Sequence, residues 1–340
     1  MTHAQIAWRH LSRSRRAVFG LVLLGLLALT GIFAEVIASP APIIASGPRG
    51  LEVLPGVVHA ADYAGLSRVE IDRLHRDDAA LWPWVRYGPN TQTDVPADDD
   101  DASFAPIPPL GADRHPLGTD AEGRDLLARL VYGARTALGL SLGAVLLGMV
   151  LGVALGGLAG YERGFWDDRL TRLIETVDTF PAIIVVALVR AIEQRPSALS
   201  LVIAVAFVRW AEIARLVRAE VVRATTEDYV TAARALGASP ARVFARHILP
   251  TAIGPAIVSS VFGVASVVLL EAALSFLGMG VESRVASWGE TMAEGVRDPS
   301  RIRLLLLPGA LLMATVGGTY LIAAALRDAT DPRAARERPQ

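Results

Sequence analysis

The chain has 340 residues and a formal net charge of −1, and 52% of its residues are hydrophobic. This apolar content exceeds what a soluble domain needs, and the balanced charge gives no sign of a nucleic-acid partner. All 33 basic residues are arginine, so the chain lacks the lysine of a Walker A loop, and it has no cysteine for a disulfide or thiolate site. The composition predicts an integral membrane protein that is not a conventional P-loop ATPase.

The N-terminal third predicts a tail, one membrane span and a long polar segment. Residues 1–16 are polar and rich in arginine, and residues 17–38 form an apolar run long enough to cross a bilayer. A transmembrane helix is the favoured interpretation, and a signal cleaved after Ala38 is the alternative. Residues 39–130 then form a periplasmic loop, in which the acidic run Asp98–Asp101 is interpreted as solvated chain.

Residues 131–326 predict a core of five further membrane helices. Their apolar runs cover about residues 136–161, 173–192, 198–216, 252–277 and 304–326. Gly148, Gly152 and Gly156 repeat a GxxxG spacing, which predicts close contact with another helix. Arginines concentrate in residues 1–16, in the loop 219–251 and in the tail 327–340, so the positive-inside rule places all three in the cytoplasm.

The loop between the fourth and fifth spans predicts two short helices joined at a sharp corner. Thr225 followed by Asp228 is a variant of the capping box and predicts that the first helix begins there. Gly237 stands where a helix end requires a left-handed residue. Ser239 and Pro240 are typical of the N-cap and first position of a second helix.

Two further patterns mark the same loop. Tyr229, Ala232, Ala233 and Leu236 have helical spacing and share one face. Pro250 is expected to end or kink the second helix. The pair of alanines, the glycine after three residues and the Leu-Pro pair that closes thirteen residues beyond it resemble the cytoplasmic "EAA" loop of ABC-importer permeases. Thr231 stands where that motif has its glutamate.

Other segments resemble the dipeptide/oligopeptide/nickel branch of these permeases. The loop ends in His-Ile-Leu-Pro, residues 115–120 read HPLGTD before Gly-Arg-Asp, and residues 270–278 read LEAALSFLG. Ser-Trp-Gly at 287–289 and the Leu-Arg-Asp terminus at 326–328 are also similar. The length of the first loop and its Trp-Val-Arg-Tyr-Gly segment resemble the long-loop ("C"-type) subgroup, which takes up larger peptides and peptide-like antibiotics.

The resemblance implies an all-α, six-helix type I ABC-importer permease in the bacterial inner membrane, with a cytoplasmic N-terminus. It implies alternating access for peptides, peptide-like substrates or nickel chelates. The implied partners are a second related permease, two ABC ATPases and a periplasmic or lipid-anchored binding protein. This chain itself would bind no cofactor, since ATP and magnesium would sit on the ATPases. The resemblance implies that the loop couples to them through Asp228, Tyr229, Ala232, Ala233, Gly237, Ser239, Pro240, His247, Leu249 and Pro250.

Acidic residues within the spans are the candidates for the translocation pathway, because an ionisable group at membrane depth usually faces a bundle interior or an aqueous path. The acidic candidates are Glu175, Asp178 and Glu271, and Ser275, one turn after Glu271, is a further candidate. A structural hydrogen bond is the alternative role for Glu271. Two other functions remain open, a proton-coupled secondary transporter and an intramembrane enzyme. No HExxH or GxSxG motif lies on the spans, so neither a catalytic residue nor a metal site is predicted.

Overall fold

The computed structural model describes residues 11–12, 14–47, 50–63, 66, 68–76, 79–92, 115–194, 196–282 and 284–330. The described residues are mainly helical. Contacts divide the chain into two compact units. The first unit contains residues up to Leu24, Gly139–Leu270 and residues from Ala314 onward, and the second contains Gly25–Leu138 and Glu271–Met313.

Helices make up most of both units. In chain order they are α1 (Arg15–Ile32), α2 (Ala34–Ile37), α3 (Pro55–Val58), α4 (Ala60–Tyr63), α5 (Arg68–Leu74), α6 (Leu126–Glu162), α7 (Phe165–Asp178), α8 (Ala182–Ile192), α9 (Ala198–Ala224), α10 (Asp228–Ala235), α11 (Pro240–Val243), α12 (Leu249–Phe276), α13 (Trp288–Arg297) and α14 (Arg303–Thr330). A π-helical segment, Phe244–Ile248, joins α11 to α12, and a 3₁₀ turn, Pro299–Arg301, precedes α14.

Within the part of the chain that the structure describes, four helical stretches are long and apolar enough to cross a membrane. They are Arg15–Ile32, Leu126–Glu162, Pro240–Phe276 and Arg303–Ala329. Large apolar side chains on them point away from the protein, and Phe19, Val150 and Met313 are 62%, 65% and 73% exposed. Lipid accommodates such side chains without the hydration penalty that water imposes. The chain is therefore a multi-pass membrane protein.

The predicted third span, residues 173–192, is divided between two helices. Helix α7 ends at Asp178, and α8 begins at Ala182 directly after Pro181. Proline lacks an N–H, and its ring disfavours the helical conformation of the residue before it, which explains the break. The fourth predicted span lies in α9, whose 27 residues extend over roughly 40 Å. The count of six membrane crossings stays a prediction.

The glycines of α6 let it pack closely against α9 in the first unit, as the GxxxG spacing predicts. A methyl group on Gly152 would lie 2.8 Å from the carbonyl oxygen of Trp210, and one on Gly156 would collide with the backbone of Ala214. Only a residue without Cβ permits this separation of the two helices.

The segment predicted as a polar loop, residues 39–130, contains a small antiparallel sheet in the second unit. The strands are β1 (Ile44–Gly47), β2 (Gly50–Val53) and β3 (Ala79–Leu81), in the order β2-β1-β3. Ile44 pairs with Val53 on one side and with Leu81 on the other. The fold is thus helical with one sheet that the all-α expectation missed. The acidic run Asp98–Asp101 lies outside the described residues.

Candidate functional site

The loop between α9 and α12 begins differently from the prediction. Helix α9 continues to Ala224 with Thr225 as its C-cap, and α10 begins at Asp228 with Glu227 in extended conformation before it. The hydroxyl of Thr225 donates to the carbonyl of Val222 at 2.7 Å, so it serves the end of α9. The capping role predicted for Thr225 at the start of the next helix is therefore wrong.

The corner of the loop is a left-handed turn at Gly237, where φ is +84°. The N–H of Gly237 donates to the carbonyl of Arg234, and the N–H of Ala238 donates to the carbonyl of Ala233. These two bonds form a Schellman motif, which satisfies carbonyls at the end of α10. The predicted left-handed glycine is confirmed.

The second helix of the loop begins as predicted but does not end at Pro250. Ser239 is extended and Pro240 occupies the first turn of α11, although the Ser239 side chain makes no capping bond. The chain then passes through the π-helical segment, with His247 inside it, directly into α12, whose first turn holds Leu249 and Pro250. A π segment accommodates the missing N–H and the ring of a proline without ending the helix.

Burial separates two faces of α10. Val230 and Ala233 are 0% and 9% exposed and pack with Val243 and Ile248 against α9 and α12. Ala233 therefore belongs to the core of its own chain, so its predicted place on a docking face is wrong. Leu236 is 88% exposed, Tyr229 is 42% exposed, and Ala232 is also exposed. We call Tyr229, Ala232 and Leu236 the coupling face.

The predicted pathway acids occupy three different environments. In the first unit, Asp178 forms an ion pair with Arg215 of α9, and Glu175 is exposed. In the second unit, Glu271 is 2% exposed, and its Oε1 accepts hydrogen bonds from the hydroxyls of Ser275 and Ser287, each at 2.8 Å. Glu271 and Ser275 thus join the end of α12 to the start of α13, which is the structural alternative considered for Glu271.

A buried ion-pair network in the second unit connects the start of α6 to α13. Asp120 accepts from the backbone N–H of Arg124 and, at 2.7 Å, from its Nε. Arg124 also donates to Glu294 at 2.7 Å, and Arg129 donates to Glu290 at 2.9 Å. Arg129 and Asp120 are fully buried. We call these five residues the outer network.

Burial and neighbouring charges shift the pKa values within the outer network. Burial opposes the charge of Arg124, but the carboxylates of Asp120 and Glu294 outweigh it and raise the pKa of Arg124. Burial, together with the negative charge of Asp120, raises the pKa of Glu294 to about 7, although Arg124 and Arg129 act in the opposite direction. Glu294 is thus the group of this network whose charge changes near neutral pH.

Two buried contacts complete the connection. Asp125 caps α6 by accepting from the N–H of Ala128, and its other oxygen lies 2.7 Å from Nδ1 of His115. The indole of Trp288 donates to the carbonyl of Leu130 at 2.9 Å, and a methyl group on Gly133 would lie 2.5 Å from that ring. The HPLGTD, Gly-Arg-Asp and Ser-Trp-Gly segments therefore meet. Each of the three segments was recognisable from its sequence, but the sequence did not predict that they contact one another.

The family matches cover both ends of the chain. Residues 152–336 match the family described as "Binding-protein-dependent transport system inner membrane component", and this range is more than half of the chain. The chain belongs to this family. Residues 2–48 of this permease match "N-terminal TM domain of oligopeptide transport permease C". The chain is therefore a transport subunit, and family membership does not favour the alternatives of a secondary transporter or an intramembrane enzyme.

Curated relatives of the permease match over most of their length. A di/tripeptide transport system permease protein DppC of Pseudomonas aeruginosa is 35% identical over 75% of this chain and 83% of its own. A dipeptide transport system permease protein DppC of Alkalihalophilus pseudofirmus is 36% identical over 64% and 72%. Among solved structures, an amino acid ABC transporter with histidines is 18% identical, with a TM-score of 0.46 over 62% of this chain and 94% of its own.

Proposed function

We propose that the permease forms half of the translocation pathway of an ATP-driven importer for peptides or peptide-like substrates. Relatives named as peptide, dipeptide and di/tripeptide permeases cover up to three quarters of the chain, and they support this substrate class. Nickel chelates are the other cargo of the branch that the sequence resembles. A second, related permease would supply the other half of the pathway.

The exposed corner of the α10–α11 loop is the observation that carries the mechanism. Leu236 is 88% exposed beside the left-handed turn at Gly237, and it shares the coupling face with the exposed Tyr229 and Ala232. Together these side chains offer an apolar surface that a partner can cover. The coupling face would dock on an ATPase subunit in the cytoplasm. Because α10 and α11 are packed on α9 and α12 through a common core, movement of the docked ATPase would be transmitted to these helices.

The remaining assignments follow from the same proposal. The permease would lie in the bacterial inner membrane, cross it six times and have both termini in the cytoplasm, in agreement with the distribution of arginine. Two ATPases would bind ATP and magnesium, and an external binding protein would deliver the substrate. Without lysine this chain has no Walker A loop, so it would bind neither nucleotide nor magnesium itself.

The test is reconstitution of the permease in liposomes with its partner permease, ATPases and binding protein. We expect ATP-dependent uptake of labelled di- to oligopeptides, and no uptake when any one partner is omitted. The purified permease alone should not bind ATP at micromolar concentrations. Peptide uptake by the permease without ATPases would contradict the proposal and favour a secondary transporter.

A further inference from the structure

A charged pair lies near the middle of α9, the helix that contains the predicted fourth span. If α9 crosses the membrane as predicted, a charge there is unfavourable unless it meets water or a partner. Arg209 donates to Glu212 at 2.7 Å, and the other carboxylate oxygen of Glu212 accepts from Ser259 of α12, also at 2.7 Å. All three residues belong to the first unit. None of the three was predicted from the sequence to line the pathway.

The two members of the pair differ in exposure. The Arg209 side chain is 15% exposed, whereas the Glu212 side chain is 39% exposed. A methyl group on Gly263 would lie 2.5 Å from Nη2 of Arg209, so this glycine leaves the space that the guanidinium fills. Within the described residues, Nε of Arg209 and the hydroxyl of Ser260 are buried without a hydrogen-bond partner. The guanidinium of Arg209 is therefore held in place beside a carboxylate that solvent can reach, and the buried Nε and the Ser260 hydroxyl can each form a further hydrogen bond.

Further polar side chains are exposed on α12 and on α14, which contacts α12 through Phe262. Ser266, two turns along α12 from Ser259, is exposed. Tyr320 of α14 is 60% exposed and packs edge-on against Phe262 of α12, with ring centroids 5.6 Å apart. The exposed polar groups are thus the carboxylate of Glu212 on α9, the hydroxyl of Ser266 on α12 and the phenol of Tyr320 on α14. Polar groups of this kind are typical of a helix surface that faces water and not lipid.

We propose that this surface lines the translocation pathway and that Glu212 binds the α-ammonium group of the passing peptide. In the absence of substrate, Arg209 and Ser259 satisfy the carboxylate and so lower the penalty of holding it at membrane depth. A peptide ammonium group then exchanges for the Arg209 contact. The Arg209–Glu212 pair is neutral by itself, and the carboxylate at the other end of the zwitterionic peptide balances the charge of the ammonium group. This inference rests on the proposed peptide transport and adds a contact point for its substrate.

The absence of cysteine in this chain permits a direct test in the assembled transporter. A single Ser259→Cys variant places a thiol beside Glu212, and water-soluble thiol reagents of opposite charge are applied to the complex in liposomes. Rates are divided by those for a small free thiol, and labelling of the complex with the unmodified permease is subtracted. We expect the cationic reagent to react at least fivefold faster than the anionic one. Added Glu212→Gln leaves the charge of Arg209 unpaired and should abolish or reverse this preference.

One control variant and one second labelling position accompany Ser259→Cys. Ile257→Cys lies on the same helix at the same depth, about 160° around its axis from Ser259 by helical geometry, and should not react. Ser266→Cys serves as a second sensor on the polar side if Ser259→Cys fails to assemble. No labelling at either serine position, or labelling without charge preference, would overturn the aqueous surface and the role of Glu212.

Protection from labelling by a substrate tests whether the peptide binds at Glu212. A transported dipeptide present with ATP and the binding protein should slow labelling of Ser259→Cys at least threefold, and the same dipeptide without the binding protein should not. Charge-selective labelling that the dipeptide leaves unchanged would overturn ammonium binding at Glu212. Failure of the proposed function is seen separately, because it would abolish peptide uptake by the unmodified complex.

Discussion

Glu294 should make the stability of the permease depend on pH in a predictable direction. Its pKa is about 7 in the folded chain and 4.5 when it is free of its surroundings, because burial and Asp120 disfavour the carboxylate. The folded state therefore holds a proton that the unfolded state releases, and stability is lost as pH rises from 4.5 through 7. A shift of about 2.5 pH units, at about 1.4 kcal/mol for each unit, sets an upper limit of about 3 kcal/mol on this loss.

The substitution Glu294→Gln isolates this term. Glutamine keeps the shape and the acceptor toward Arg124 but cannot ionise. At pH 5 the variant should match the unmodified permease, and at pH 8 it should be more stable by roughly 1–3 kcal/mol, part of the limit being offset by the lost ion pair. The measurement is thermal unfolding of the purified permease in detergent between pH 5 and 8.5. The matched control is Glu220→Gln, which changes a partly buried glutamate that pairs with the exposed Arg223.

One outcome would refute the reasoning about Glu294. If Glu294→Gln were less stable than the unmodified permease at pH 8 and equal at pH 5, the charged pair with Arg124 would outweigh burial. The carboxylate would then be ionised at neutral pH, and the outer network would be held by its charges.

Five other substitutions, at four positions, test the loop and the buried glutamate. Gly237→Val should impair ATPase co-purification and peptide uptake, because a β-branched residue at positive φ costs about 1–2 kcal/mol or more. Membrane insertion of the variant should persist. Normal coupling of ATP hydrolysis to uptake would contradict the docking assignment. Leu236→Glu should weaken ATPase binding at unchanged thermal stability, whereas Ala233→Glu should lower stability itself, because Ala233 is buried. Glu271→Gln should assemble normally, and Glu271→Ala should lose about 1–3 kcal/mol for each hydroxyl left without its acceptor, measured as yield of intact complex.

Local chemistry made part of the fold predictable from the sequence. The corner at Gly237 and the close packing at Gly152 follow from what a single glycine permits, so spacing alone was enough. Ala233 was misassigned because Ala, Tyr and Leu at helical spacing define a stripe but not which edge of it the rest of the chain covers. The exposure of Leu236 and the burial of Ala233 depend on α9 and α12, which are distant in sequence.

The outer network illustrates the limit of sequence reasoning more strongly. Arg129 and Glu290 are separated by 161 positions, and neither segment contains a sequence feature that predicts its contact with the other. The strands at Ile44 and Ala79 were missed for a related reason, since each is only three or four residues long within a polar segment. Glu212 lies in the predicted fourth span but was not selected as a candidate, and its contacts with Arg209 and Ser259 are visible only in the structure.

The π-helical segment Phe244–Ile248 fixes the angular setting between the coupling loop and the membrane helix that follows it. A π turn holds one residue more than the α-helical path, so everything before it is rotated by about 100° relative to an uninterrupted helix. Deleting Ala245 alone would restore the α-helical path and turn the α10–α11 corner about a quarter of the way around the axis of α12. A single residue thereby determines the direction in which Leu236 points. The extra residue of the π turn sets the rotation of the coupling loop about the axis of α12.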